Sequence, residues 1–296
     1  MNIKNFFTKK NKIINFIIDK DNDLTSVKIV SLLISACKKF CNFENIYLEL
    51  GVFKGSTLLN VAINNKKISA IGVDNFSLFN DKGINYEQLK KRIKENNLSN
   101  VKIINKDVEE AIPFIKRLNK KIGVLFVDAS HDYRSQFVAL LKYKEFLSKK
   151  CLIIIDDCNY YHVRKATSDF LSVEKNFKLI FQSYSKTHVA NLRNSDKKKA
   201  YIGYWNGVNV LYRGPQSQKF SKKLYFEKDE LKLKKIFFNS HELFRHYYAH
   251  NILEIINYIY DFNFKKITKS QFFTLVTSLK IKPYLFAKRY RSHNFY

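Results

Sequence analysis

Between Ile46 and Ile155, five short apolar runs alternate with four amphipathic stretches, and that alternation leaves few folds open. The runs are Ile46–Leu50, Ile68–Val73, Val101–Asn105, Ile122–Val127 and Leu152–Ile155. Between them lie Ser56–Asn64, Tyr86–Asn97, Glu109–Leu118 and Arg134–Leu147. Strand–helix repeats at this spacing read as βαβ units around a parallel sheet. The runs are continuously apolar rather than alternating, which fits strands covered on both faces. Right-handed crossovers then give a doubly wound α/β sandwich. A further helix is expected over Tyr161–Val173 and a strand over Phe177–Gln182. Tyr201–Trp205 and Val208–Tyr212 flank Asn206-Gly207, a turn pair that predicts a hairpin of two more strands. These are eight candidate segments for an expected sheet of seven strands, mostly parallel, with antiparallel pairing at the end.

The flanks differ in character. All eight glycines lie between Gly51 and Gly214, so the functional core is expected between two helical segments. Residues 1–43 read as two helices. The second starts near Asp23-Leu24-Thr25 and gathers Val27, Val30, Leu33, Ile34, Cys37 and Cys41 on one face. Residues 184–199 are polar and read as a loop. After Gly214-Pro215 the chain becomes rich in Phe, Tyr, Lys and Ile, and helices are expected over 228–238, 241–260 and 268–280. The resulting division is an N-terminal helical extension (1–43), an α/β domain (44–214) and a C-terminal helical appendage (215–296).

The formal charge of +27 over 296 residues first suggests nucleic acid or an anionic membrane. Only nine of the 53 basic residues are Arg, the usual reader of phosphates, and Lys is spread along the whole chain. Even spreading argues against a nucleic-acid partner, because a basic patch must cluster. The four cysteines form no CxxC and have no His at zinc-finger spacing, so they read as reduced thiols. No stretch approaches the ~20 apolar residues of a membrane span, and the expected location is cytoplasmic.

The first motif, Glu49-Leu-Gly51-Val-Phe-Lys-Gly55-Ser56, closes one strand and opens a helix. Gly51 allows a tight turn and close backbone approach to a ligand, and Gly55 allows close helix–strand packing. Asp74 ends the second strand, where an acid accepts hydrogen bonds from ribose hydroxyls or else caps the next helix. Asp107 follows the third strand and carries the same two readings. Asp128 ends the fourth strand, and Asp156-Asp157 end the fifth. Neighbouring strands lie ~4.8 Å apart, so the three acids can converge at the ligand-binding edge. Carboxylates that close repel unless protons or a cation intervene, and hard oxygen ligands suit Mg²⁺. His131 follows Asp128 by three residues, within reach of the same point. The plainer reading of Asp128 is a strand-end turn residue.

Taken together, these residues resemble class I methyltransferases, whose sheet is Rossmann-like and whose motif I takes the ExGxxxG form of Glu49–Gly55. The likeness covers about residues 45–185. With Asp128-Ala-Ser-His131-Asp-Tyr133 and the Asp156-Asp157 pair, it is similar to the metal-dependent O-methyltransferases of antibiotic and surface sugars, notably the macrolide-sugar enzymes. The resemblance implies S-adenosylmethionine (SAM) as donor, held by Glu49, Gly51, Gly55, Ser56, Asp74 at the ribose and Asp107 at the adenine amino group. It implies Mg²⁺ on Asp128, Asp156 and Asp157, with His131 as general base and a small-molecule hydroxyl, such as a sugar's, as acceptor. Some relatives carry Glu at the first position of the pair. Two rivals stand beside this reading: a methyltransferase of RNA or protein, and a non-catalytic SAM-fold module. His241, His246 and His250 lack the spacing and third ligand of a zinc site. The aromatic-basic tail Tyr284–Tyr296 fits a helical cap or a homo-oligomer interface better than a nucleic-acid platform.

Overall fold

The computed structural model describes residues 24–78, 83–184, 202–215, 221–226 and 266–274, with isolated helical positions at 259 and 263. The chain divides into two compact units, Met1–Tyr225 and Phe226–Tyr296.

The first unit opens with α1 (Val27–Phe40). Ser26 caps it: its Oγ accepts the Ile29 N–H at 3.2 Å and donates to the Gly203 carbonyl at 2.7 Å. The elements then run β1 (Asn45–Leu50), α2 (Ser56–Asn64), β2 (Ala70–Asp74), α3 (Asn85–Glu95), β3 (Val101–Asn105), α4 (Ile112–Arg117), β4 (Lys121–Val127) and α5 (Tyr133–Tyr143). A 3₁₀ turn, β5 (Leu147–Asp156), α6 (Tyr161–Val173), β6 (Phe177–Ser183) and β7 (Val208–Arg213) complete the order.

The seven strands form one sheet in the order β3-β2-β1-β4-β5-β7-β6. β1 pairs parallel with β2 and β4, β2 with β3, and β4 with β5. β7 pairs antiparallel with both β5 and β6. The doubly wound sheet expected from the apolar runs is therefore present. Residues on α1, α2 and α3, Leu33, Leu58 and Leu89 among them, pack with Tyr47, Phe126 and Ile154 in one core. Residues on α4, α5 and α6, such as Ile115, Leu140 and Phe170, pack with Leu48, Leu125 and Ile153 in a second core. The central strands are buried on both faces, as continuous apolar runs demand.

Two expectations are corrected. Residues 202–206 form a helical turn, not a strand, so Asn206-Gly207 closes no hairpin. Gly207 supplies the positive φ of 90° that the pair promised. The turn instead leads into β7 and is stitched to the segment after β5, through Asn159 N–H to the Asn206 carbonyl (2.8 Å) and Cys158 N–H to the Gly207 carbonyl (3.2 Å). The strand antiparallel to β7 on its outer side is β6. The other correction concerns β5, which starts at Leu147 rather than Leu152. Half-buried Ser148 and exposed Lys149-Lys150 carry no apolar signal. The Arg213 guanidinium holds this stretch by donating to the carbonyls of Leu147 (2.8 Å) and Ser148 (2.7 Å).

In the second unit, residues 269–274 are helical. Thr268 opens that helix: its N–H donates to Gln271 Oε1 at 2.8 Å and its Oγ1 accepts the Gln271 N–H at 3.3 Å, a reciprocal cap. The helices expected over 228–238 and 241–260, the polar loop beyond Tyr184, the first N-terminal helix, His241, His246, His250 and the Tyr284–Tyr296 tail lie outside the described residues, apart from position 259. Among the described residues, no helix is long and apolar enough to cross a membrane. All four cysteines are free thiols.

Candidate active site

In a doubly wound sheet, ligands bind outside the carboxyl ends of the strands, where strand order reverses. Here that point lies between β1 and β4, and the sequence motifs cluster around it.

Gly51 leaves β1 with φ of 85° and donates its N–H to the Val73 carbonyl at 2.9 Å. A Cβ at this position would lie 2.1 Å from the Asp128 carbonyl oxygen. Only glycine fits the conformation and the approach of the two chain segments. Gly55 caps α2 in the left-handed region, and a Cβ there would meet Leu89 at 2.3 Å. The turn between them is clamped from β2. Asp74 Oδ2 accepts the N–H groups of Val52 (2.7 Å) and Phe53 (2.8 Å), while Oδ1 accepts Phe76 N–H (2.7 Å). Asp74 thus caps no helix; it ties two strand-end loops together. Ser56 sits in the first turn of α2, and Arg92 from α3 reaches its Oγ (3.3 Å) and the Lys54 carbonyl (2.7 Å). Asp107 is exposed, and its Oδ1 accepts Glu109 N–H at 2.8 Å.

Glu49 is fully buried beneath this turn. Tyr47 Oη donates to its Oε2 at 2.6 Å, and Thr57 Oγ1 to its Oε1 at 2.5 Å. Burial pushes its carboxyl up to about 8, against the opposing pull of the two hydroxyl donors. Glu49, expected at the cofactor, thus lies under the turn with Tyr47 and Thr57 as its partners, two residues that no motif marks.

Across the switch point, Asp128, His131 and Asp157 bring their ligand atoms within 4.8 Å of one another. His131 Nε2 lies 2.6 Å from Asp157 Oδ2. The imidazole stacks on Tyr160, with ring centroids 5.0 Å apart and planes 15° from parallel. The intervening motif residues hold the loop. Ser130 Oγ donates to Asp132 Oδ2 (2.8 Å), Asp132 caps α5 by accepting Ser135 N–H (3.1 Å), and Tyr133 Oη reaches Asp169 on α6 (2.8 Å). Asp156 does not join the group of three: it is buried, and its Oδ1 accepts the Asp157 N–H at 2.9 Å. It remains an electrostatic neighbour. Burial, then Asp156 and Asp157, hold the Asp128 carboxyl well above the usual carboxylate range. Burial and Asp157 do the same to Asp156. Such a site favours whatever compensates negative charge.

Residues 48–158 match the family model described as a methyltransferase domain. Over that stretch the chain is similar to methyltransferase domains. That stretch runs from within β1 to just past β5 and includes Glu49, Gly51, Gly55, Ser56, Asp74, Asp107, Asp128, His131, Asp156 and Asp157, but neither Tyr47 nor Tyr160. The chain is also similar to uncharacterized protein R132 of Acanthamoeba polyphaga mimivirus, 32% identical over 120 residues, which are 39% of this chain and 52% of that protein. The chain thus spans about half the length of the curated relative it matches. Similar solved structures include the O-methyltransferase TomG from Streptomyces achromogenes (12% identity, 65% of this chain and 83% of that one, TM-score 0.48). Others are an O-methyltransferase from Bacillus cereus (12%, 64% and 82%, 0.46) and an rRNA methylase from Streptococcus thermophilus (10%, 62% and 96%, 0.43). At these scores the likenesses say nothing about the acceptor.

Proposed function

We propose that the methyltransferase domain methylates a hydroxyl oxygen of a small molecule, a sugar being the favoured class, with Mg²⁺ beside the donor and His131 as general base. The observation that carries this reading is the meeting of Asp128, His131 and Asp157 at the carboxyl ends of β4 and β5.

SAM would lie across the ends of β1 to β3. Gly51 and Gly55 let the backbone approach it, with Ser56 at the opening of α2. Asp74 would accept from the ribose with the lone pairs that its three backbone donors leave, and Asp107 would meet the adenine amino group. Glu49 would act from beneath, fixing the turn through Tyr47 and Thr57. The sulfonium methyl then faces β4 and β5.

The donor set fits a divalent cation. Two carboxylates converge, each a hard oxygen ligand, in surroundings where negative charge is already costly. Asp128 and Asp157 would hold Mg²⁺, with Asp156 adding charge from the next position. When bound, Mg²⁺ supplies positive charge that makes a neighbouring hydroxyl more acidic and fixes its place. His131 takes the hydroxyl proton, a task for which an imidazole is the commonest side chain. The oxygen bonds to the methyl carbon as the sulfur–carbon bond breaks, and orientation supplies much of the rate.

A metal-free variant is favoured by one distance. With His131 Nε2 at 2.6 Å from Asp157 Oδ2, Asp157 can orient the imidazole directly. In the neutral ring, Nδ1 then carries the lone pair that takes the proton. A mass-spectrometric screen of the purified protein with SAM, Mg²⁺ and a panel of sugars tests the whole reading. Transfer of one methyl group to a sugar oxygen supports it. Transfer only to RNA or protein, or SAM binding with no transfer to any acceptor class, overturns it.

A further inference from the structure

The fold gathers charge that the sequence disperses. At the edge opposite the SAM crevice, α1 ends and β1, β4 and β5 begin. Gly123 makes this corner tight: a Cβ there would lie 2.0 Å from the Phe40 carbonyl oxygen and 3.2 Å from the Asn45 side chain. The turn leaving α1 is held by Asn42, whose Oδ1 accepts from the Glu44 N–H (2.9 Å), the Asn45 N–H (2.8 Å) and the Asn45 side-chain amide (3.0 Å). On that clamped turn, Phe43 stands 80% exposed. The Lys120 ammonium lies 4.5 Å from its ring centroid. Lys121 pairs in register with Asn45 on the next strand. Lys149 and Lys150 are exposed on β5, and Lys150 reaches within 5.9 Å of the Phe40 ring centroid. Lys39 is close enough to Lys150 that, after partial burial, their repulsion lowers its pKa. Glu44 and Glu145, the acids on the same segments, are outnumbered.

We infer that this lysine-rich corner, with Phe43 at its centre, is a docking surface for single-stranded nucleic acid, separate from the catalytic crevice. Lys39 from the end of α1, Lys120 and Lys121 at the start of β4, and Lys149 and Lys150 near the start of β5 bring five ammonium groups to one corner, which suits a polyanionic strand. An aromatic ring on a preformed turn offers a base a stacking platform at little ordering cost. An anionic bilayer would also attract the lysines, but anchoring on one needs more apolar surface than a single ring. The paucity of Arg makes the binding blind to sequence, because phosphates and ring faces are read but base edges are not. It does not depend on which small molecule the crevice methylates.

Fluorescence anisotropy of the full chain with a labelled oligouridine, at low and physiological salt, tests the inference. Binding should weaken steeply with salt. Phe43→Ala should weaken it roughly tenfold, with thermal melts confirming an unchanged fold. Lys150→Glu should weaken it several-fold more than Lys91→Glu, a substitution of equal charge on α3. Unchanged affinity in Phe43→Ala would overturn the inference, as would equal losses in the two lysine variants. So would tight binding to phosphatidylserine vesicles without binding to oligouridine.

Discussion

His131 and Asp157 meet at 2.6 Å although they come from different strand ends, one four residues past β4 and the other just past β5. Asp157 does so from the left-handed region, at φ of 55°. A non-glycine residue in that conformation marks a backbone held by its surroundings, a frequent property of functional sites. Asp and Asn tolerate the conformation better than other residues. The site can therefore be probed without collapsing the loop.

If Asp128 and Asp157 hold Mg²⁺, chelation should abolish turnover while SAM affinity stays nearly constant, because the proposed donor contacts come from β1 to β3. Asp157→Asn keeps the backbone and should behave like chelation. Asp157→Ala adds a conformational cost of about 1–2 kcal/mol, visible as a lower melting temperature. Turnover assays, calorimetry with SAM and thermal melts separate these effects. Full activity in chelator would remove the metal and leave the His131–Asp157 pair as a metal-free base.

His131→Ala should act differently. Calorimetry should show SAM still bound, and Mg²⁺ should still bind, yet turnover should fall by roughly 10²–10⁴, the usual share of a lost general base. Partial recovery at high pH, where the acceptor hydroxyl ionises more readily without help, would support the role. A variant that also loses SAM affinity would show that His131 holds structure rather than moves a proton.

The sheet was readable because its strands are buried on both faces and so announce themselves as apolar runs; β3 and α6 begin and end where the pattern placed them. The start of β5 was not readable, since its apolar pattern is broken by Ser148 and the solvent-facing Lys149 and Lys150, and the distant Arg213 holds the carbonyls of Leu147 and Ser148. Asn206-Gly207 announced a turn correctly but not its partner, because long-range hydrogen bonds to Cys158 and Asn159 decide what the turn joins. At the site, strand ends told which acids gather but not which way they face. Asp156 and Asp157 are adjacent, yet the positive φ of Asp157 points it at His131 and leaves Asp156 behind. Tyr160 and Arg92 carried no sequence signal, since stacking on an imidazole and clamping a carbonyl follow no fixed spacing.

At the proposed ribose site, Asp74 would couple donor binding to loop shape. Its carboxylate accepts three backbone N–H groups, so Asp74→Ala removes the proposed ribose acceptor and frees the turn at Val52 and Phe53 as well. A charge-assisted hydrogen bond contributes roughly 1.5–3 kcal/mol, and SAM affinity should fall by at least the tenfold that the lower figure implies. Asp74→Asn retains one acceptor oxygen but turns an amide toward one of its backbone donors, so it should lose affinity to a similar extent. Calorimetry showing unchanged SAM affinity in both variants would sink the assignment of Asp74 to the donor site.

Glu49 makes stability depend on pH. Its carboxyl titrates near 4.5 when unfolded and at about 8 in the buried native site, so between those values the folded chain binds the extra proton. Stability contributed by that proton is fully present below the unfolded value and is lost as pH rises through the folded one. Above pH 8 the native state must bury a charge that only Tyr47 and Thr57 solvate, a cost on the order of a few kcal/mol. Glu49→Gln keeps the shape and an acceptor oxygen for one hydroxyl, while its amide can donate to the other. It should therefore melt at nearly the same temperature as the parent near pH 5 and at a higher temperature near pH 9. Denaturant melts at both pH values read the difference directly, and parallel pH profiles for parent and variant would show that Glu49 is charged in the native state throughout.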